Sequence, residues 1–293
     1  MEKFKKRKKK KNKLLYVVII VMIAFGGALA YYAYDYYLYW QDGRIAQENT
    51  DVMRDMFQGQ MEDINQLILT APQGNDTGDA TNDLIRSLGL SFEVSPLDAA
   101  RELASNPDIV AYLFIEGTNV NNVVVQGLDN AYYLHRDMFG NRNVNGTIFM
   151  DYRNTPDFTD PNTILYGHNM GNGTMFHNLR YYMQQEFFEA HPHIKVITDD
   201  TIFVYEIFSA FTTHISFNYI QVFFEYEEEF GELVDEMMRR SAYDTGVTAN
   251  GEDRIIVLST CTNVNRNTRI VVAGRLAMEL TINDENTGLD YPS

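Results

Sequence analysis

The sequence predicts a mainly β fold of about eight strands, a closed barrel or a sandwich, with helices ahead of it and one helix inside it. Three observations carry this. Eight short apolar, β-branched or aromatic runs follow one another from Ile109 onward, several of them ending in Gly, Asn or Asp. Tyr (19) and Phe (18) are plentiful, which suits a pleated, half-buried surface. Only one stretch among the strands has the amphipathic period of a helix.

Taken in order, the chain opens with a basic block. Nine of its 24 basic residues lie in residues 1–13, beside one acid, Glu2. The remaining chain carries 15 basic against 39 acidic residues, a net of −24. Lys195 is its only lysine. Such an acidic body excludes nucleic acid as a partner, because phosphate binding needs a basic face.

"LLYVVIIVMIAFGGALAYYAY", residues 14–34, has no charge. About 20 apolar residues suffice to cross a bilayer. The preceding cations put the N-terminus in the cytoplasm and everything after Tyr39 outside. Tyr31 to Trp40 form an aromatic belt at the outer interface. The competing reading is a cleaved signal peptide, with "GGALA" as its small-residue site.

Apolar residues from Met53 to Leu67 recur mostly at three- and four-residue spacing, so residues 41–71 read as helix. "APQGNDTGDATND" is a polar break. Ser95-Pro96 places an N-cap before a Pro at the first position of a second helix, which ends at "NPD". The strands follow: "IVAYLFIEG", "NNVVVQG", "GTIFMDY", "NTILYGH", "HIKVITDD", "TIFVYEIFSAFTT", "DRIIVLSTC" and "TRIVVAGRLAMEL". Before the seventh, residues 223–243 place Phe223, Tyr226, Phe230, Leu233, Val234 and Met237 on one helix face. The expected divisions are a basic tail (1–13), an anchor (14–34), an outer helical region (35–105), the β domain (106–281) and a flexible tail (282–293).

Chemistry centres on Cys261, the chain's only cysteine, which excludes an internal disulfide and any Cys-cluster metal site. A structural cysteine sits within an apolar run. This one sits at a strand exit among hydroxyls, with Arg266 and Arg269 downstream, and nearby cations favour the reactive thiolate. A thiol nucleophile needs a proton partner. Of six histidines, His168 alone shares the strand-exit setting. His191 and His193 flank Pro192 in a surface turn, and His135, His177 and His214 have no matching context. Arg269, opening an apolar strand, could offer fork-like donors to an oxyanion, with Arg266 as its rival. Arg275 shares a face with Arg269 but lies about 20 Å along the strand.

"TILYGHNM", "LSTC" and "RIVVAGRL", in that order, resemble the sortases of Gram-positive bacteria, class B most closely. "NPDIVAYLFIEGTNVNNVVVQG", "DNAYYLHRDMFGNRNVNGTIFMDYRN" and "FFEAHPHIKVIT" extend the resemblance over about residues 106–280. It implies a closed, sortase-like barrel and a transpeptidase that needs no cofactor. Cys261 would attack a Thr–Gly or similar bond in a C-terminal sorting motif of a secreted protein. His168 would protonate the leaving amine, and Arg269 would hold substrate and stabilise the oxyanion. An amine of a peptidoglycan precursor or of a pilin lysine would resolve the thioester. The resemblance also implies a substrate groove with Asn130, Leu134, Tyr166, Ser259 and Thr262, where some relatives carry an acid in place of Thr262. Two other readings stand beside it: a thiol peptidase releasing product to water, and a non-catalytic, membrane-tethered barrel that binds peptide or wall.

Overall fold

The computed structural model describes residues 2–70, 96–262 and 267–281. The chain divides into two compact units, residues 1–45 and 46–293. A long helix, α1 (Glu2–Thr70), runs through the first and into the second. In the first unit its apolar side chains from Leu14 to Trp40 are exposed. This stretch is long and apolar enough to cross a membrane and is a candidate anchor.

The second unit is a closed barrel of eight strands, in the order β1-β2-β3-β4-β7-β8-β6-β5. The strands are β1 (Ile109–Phe114), β2 (Asn121–Val125), β3 (Ile148–Met150), β4 (Asn162–Tyr166), β5 (His193–Ile197), β6 (Thr201–His214), β7 (Ile255–Cys261) and β8 (Thr268–Thr281). The β2–β3 and β4–β7 pairs are parallel and the rest antiparallel. Each strand matches one of the eight apolar runs, β6 and β8 extending one residue past theirs. Closure leaves no free sheet edge.

Alternation along the strands sorts the side chains into an interior and two outer packing layers. Ala111, Leu113, Leu165, Ile256, Leu258, Ile270 and Val272 fill the interior. Tyr112, Phe114, Val123 and Val125 face outward, against Met53 and Phe57 of α1 and Leu97 and Ala100 of α2 (Pro96–Ala104). Phe57 stacks on Tyr112 with ring centroids 3.9 Å apart. On another outer face, Ile164, Val257, Val271 and Ala273 meet Phe230, Leu233, Val234 and Met237 of a later helix, Glu227–Arg240.

That helix, α4, is shorter than the sequence pattern. Tyr226 has extended backbone (φ −134°, ψ 148°), so the apolar periodicity upstream of it is not helical. Phe223 and Tyr226 are exposed, and Val222 packs in the core instead. The expectation of a single helix among the strands also fails. A 3₁₀ segment, Phe176–Met183, and a short helix, α3 (Gln185–Ala190), lie between β4 and β5. The 3₁₀ segment buries Phe176, Leu179 and Tyr182 at three-residue spacing, a period that a 3.6-residue pattern does not register. His193 is the half-buried first residue of β5 rather than part of a surface turn. The polar break, the Ser95 cap, Arg266 and the tail beyond 281 fall outside the described residues.

Candidate active site

Register brings the predicted residues together. Cys261 is the direct cross-strand partner of Arg269 in the antiparallel β7–β8 pair. Such partners share a face with Cβ atoms about 5 Å apart. Ser259, two residues before Cys261, shares that face, and Tyr166 is its parallel partner on β4. The same outer face carries Val257, Ile164 and Val271 beneath α4. The strands therefore run from an apolar, helix-covered end to a polar end carrying the thiol.

The polar end opens into a cleft of about 390 Å³. His168, Cys261 and Arg269 line it, with Asn130, Leu134, Tyr166 and Ser259. Ile215, Phe217, Tyr219 and Ile220, from the β6–α4 connection, form a further wall. Thr262 is not among the lining residues; its N–H donates to the Thr268 carbonyl (3.1 Å) just beyond the strand pair.

The Cys261 thiol is free and exposed. Asn169, next to His168, donates from Nδ2 to the Cys261 carbonyl (3.1 Å), so the two strand exits are tied directly. Gly167 N–H donates to the Ser259 carbonyl (3.3 Å), continuing the β4–β7 ladder to the residue before His168.

His168 is held by its backbone and its ring. Its carbonyl accepts from Phe176 N–H (2.9 Å), and Nε2 donates to the Leu134 carbonyl (2.7 Å). That bond makes Nε2 the protonated nitrogen of the neutral ring and leaves Nδ1 as the basic one. His135 stacks on the ring at 5.8 Å. Burial lowers the His168 pKa from its ordinary value; the Leu134 carbonyl opposes this and the neighbouring His135 adds to it. The imidazole is accordingly neutral at physiological pH.

Two positioning elements escaped the sequence reading. The first is Asp151, buried at the end of β3. Its carboxylate accepts from Arg153 Nε (2.8 Å) and Nη2 (2.7 Å), Tyr166 Oη (2.8 Å) and Asn130 Nδ2 (3.0 Å). Burial alone would raise its pKa, and these donors together lower it, so Asp151 is ionised. Arg153 also donates to the Ile220 carbonyl (2.9 Å), which ties the carboxylate to the cleft wall. The second element is Tyr219, whose hydroxyl pairs with Ser259 Oγ at 2.8 Å. Burial raises the Tyr219 pKa, eased by Ser259 and by the Arg269 charge, so the phenol is neutral. Asp151 lies in "FMDYRN" and Tyr219 in "SFNYIQ"; neither has a local motif, and only the fold brings them to the cleft.

A barrel of this topology, with a free thiol, an arginine and a neutral histidine on one cleft, is the framework of a thiol acyl-transferring enzyme. Residues 113–277 match the sortase domain family. Sortase B of Listeria monocytogenes is 38% identical over 182 residues, 61% of this chain and 74% of that protein. Sortase B of Staphylococcus aureus is 38% identical over 173 residues, 58% and 71% of the two chains. The solved Staphylococcus aureus sortase B–substrate complex is similar with a TM-score of 0.60 at 33% identity, covering 67% of this chain and 91% of that one. The chain belongs to the sortase family, on the class B side of it, and is a cysteine transpeptidase.

Proposed function

We propose that this chain is anchored by α1, faces outward, and transfers sorting-motif proteins to an amine at the cell wall through a thioacyl-enzyme on Cys261. The observation that carries the reading is the cross-strand pairing of Cys261 with Arg269 on the cleft that His168 also lines.

Cys261 Sγ attacks the carbonyl of a Thr–Gly or similar bond. Neutral His168 takes the thiol proton at Nδ1 and returns it to the leaving amine. Arg269 donates to the oxyanion, a contribution of roughly 3 kcal/mol by comparison with single lost donors elsewhere. The thioester then passes its acyl group to a peptidoglycan-precursor or pilin amine. The apolar wall of Phe217 and Ile220 supports exclusion of water, so that transfer competes with hydrolysis. Asn130, Leu134, Tyr166 and Ser259 are the proposed substrate contacts. Thr262 has the weakest structural support because it lies outside the cleft lining. The residue divisions given above stand with this proposal, with 14–34 as the single membrane pass and the basic tail inside the cell. The solved substrate complex of Staphylococcus aureus sortase B supports substrate binding on this fold.

The test uses the full chain in detergent, a panel of peptides containing a Thr–Gly bond, and triglycine as acceptor, read by mass spectrometry. A peptide–triglycine adduct that disappears in Cys261→Ala is expected. Hydrolysed acid alone, at every acceptor concentration, would refute transfer.

A further inference from the structure

The two kinds of cation are unevenly placed along this chain. Eight of its nine lysines lie in the first thirteen residues, with one arginine among them. Beyond Lys13 the proportions reverse, to fourteen arginines and one lysine. The chain is therefore not poor in lysine as such; lysine is confined to one side of the apolar segment.

The single exception is hidden. Lys195 lies on β5 and is only 4% exposed. Its Nζ donates to Asn65 Oδ1 and to Glu116 Oε2 (3.4 Å), and it sits over the Phe114 ring at 5.3 Å. Burial lowers its pKa and Glu116 opposes this; what withholds the amine is its burial and its hydrogen bonds.

The acidity of the body does not account for the pattern. Surface cations are plentiful, but they are guanidinium groups. Arg239 is 70% exposed and pairs with Glu236 one helical turn away, as does Arg240. Lysine forms such i,i+3 and i,i+4 pairs equally well. What arginine lacks is nucleophilicity, since its guanidinium remains protonated in proteins. A lysine with an ordinary pKa near 10.4 is a free amine about one time in a few thousand at neutral pH.

We propose that the outer domain has been cleared of accessible primary amines because its own thioester would acylate them. This rests on the transpeptidase reading and extends it: the acceptor class is an unhindered alkyl amine, and the surface of the outer domain offers no lysine amine. The excluded reaction is the productive one misdirected. A lysine Nζ bonds to the thioester carbon and the C–S bond breaks. Sulfur keeps the electron pair, and the proton lost by nitrogen returns the sulfur to thiol. The product is an isopeptide-linked, blocked enzyme.

The test introduces amines without changing charge. Arg240 lies over the ring of Phe217, a cleft residue, at 4.2 Å. Arg240→Lys places an amine at the rim, and Arg239→Lys places one further out. The full-length native chain and each variant are incubated in detergent with the Thr–Gly peptide panel, with and without triglycine, and acylated lysines are mapped by mass spectrometry. The expected result is a gain of one acyl mass at position 240 in the variant, competed by triglycine. Lys195 stays unmodified in every sample. The N-terminal lysines, which detergent no longer separates from the cleft, also gain label.

An introduced lysine left unmodified while triglycine is acylated in the same tube would overturn self-protection and leave the transpeptidase intact. Acylation of Lys195 in the native chain would overturn it as well. No acyl transfer to any amine would overturn the transpeptidase reading, and this inference with it.

Discussion

In the proposed reaction, Arg269 and Asp151 do different electrostatic work at the same cleft. Arg269 faces Cys261 across one strand pair, so its guanidinium has a short reach to an oxyanion forming at the thiol. A planar fork and a point charge differ there. Arg269→Lys keeps the charge and loses the paired donors. A fall of about 10²–10³-fold in kcat/KM is expected, the cost of removing one oxyanion donor. Activity close to the parent would make Arg269 a charge and not a fork. Asp151 touches no substrate in this scheme; it orients Tyr166 and Asn130 and, through Arg153, the Ile220 backbone. Its side chain is fully buried and that of Arg153 is 29% exposed. Breaking a fully buried pair costs 3–5 kcal/mol, and the partial exposure of Arg153 reduces this, so Asp151→Asn should destabilise by about 2–4 kcal/mol. Because the mutation loosens the proposed peptide-binding wall, KM should rise more than kcat falls. Urea titration at neutral pH and steady-state kinetics measure the two effects. A loss of stability with KM unchanged would reduce Asp151 to a structural ion pair.

At the scale of elements, the strand ends carry the catalytic candidates, and they are the part most readable from sequence. Each of the eight strands has an apolar run bounded by turn residues, and each catalytic candidate sits at such a boundary. Pairing partners were less readable, because β4 meets β7 across some ninety intervening residues and no local signal encodes that parallel contact. The same non-locality hid Asp151 and Tyr219. The 3₁₀ segment was missed for its period, and the start of α4 because aromatic spacing continues into extended chain. One glycine links these elements. A Cβ on Gly167 would lie 2.8 Å from Cδ2 and 2.9 Å from Cγ of Phe176, the residue whose N–H holds the His168 carbonyl. Gly167→Ala must push that ring, and with it the His168 backbone. Overpacking of this kind costs about 1–3 kcal/mol. Activity should fall further than stability does, since the strain falls on the residue before His168, the proposed proton carrier. Equal loss of both, compared through melting and turnover, would argue that His168 is not displaced.

The whole molecule carries its charge and its half-buried histidines in opposition. Burial lowers the pKa of His168, His177 and His193 below the ordinary 6.5. For His177 the Arg180 charge adds to the effect, and for His193 Lys195 adds to it while Glu206 and Glu116 oppose it. The unfolded chain therefore binds more protons than the folded one between those lowered values and 6.5. Stability must fall as pH drops through that window. Acidification also relieves repulsion within a body of net charge −24, which works the other way. The two effects separate in pH, because carboxylates take up most of their protons near their ordinary 3.8–4.3, below the upper part of the histidine window. They also separate in salt: added salt screens the surface charge far more than it changes the desolvation of the half-buried imidazoles. The denaturation midpoint should thus decline between pH 7 and pH 5 and keep that decline in high salt. His177→Gln and His193→Gln, which leave the cleft intact, should each flatten it. A second decline should follow below 3.8, as Asp151, held ionised by Arg153 against its burial, takes up its proton. A midpoint that stays level from pH 7 to pH 5 in high salt would mean that these histidines hydrate on protonation at no cost, and that His168 is not held neutral by its surroundings.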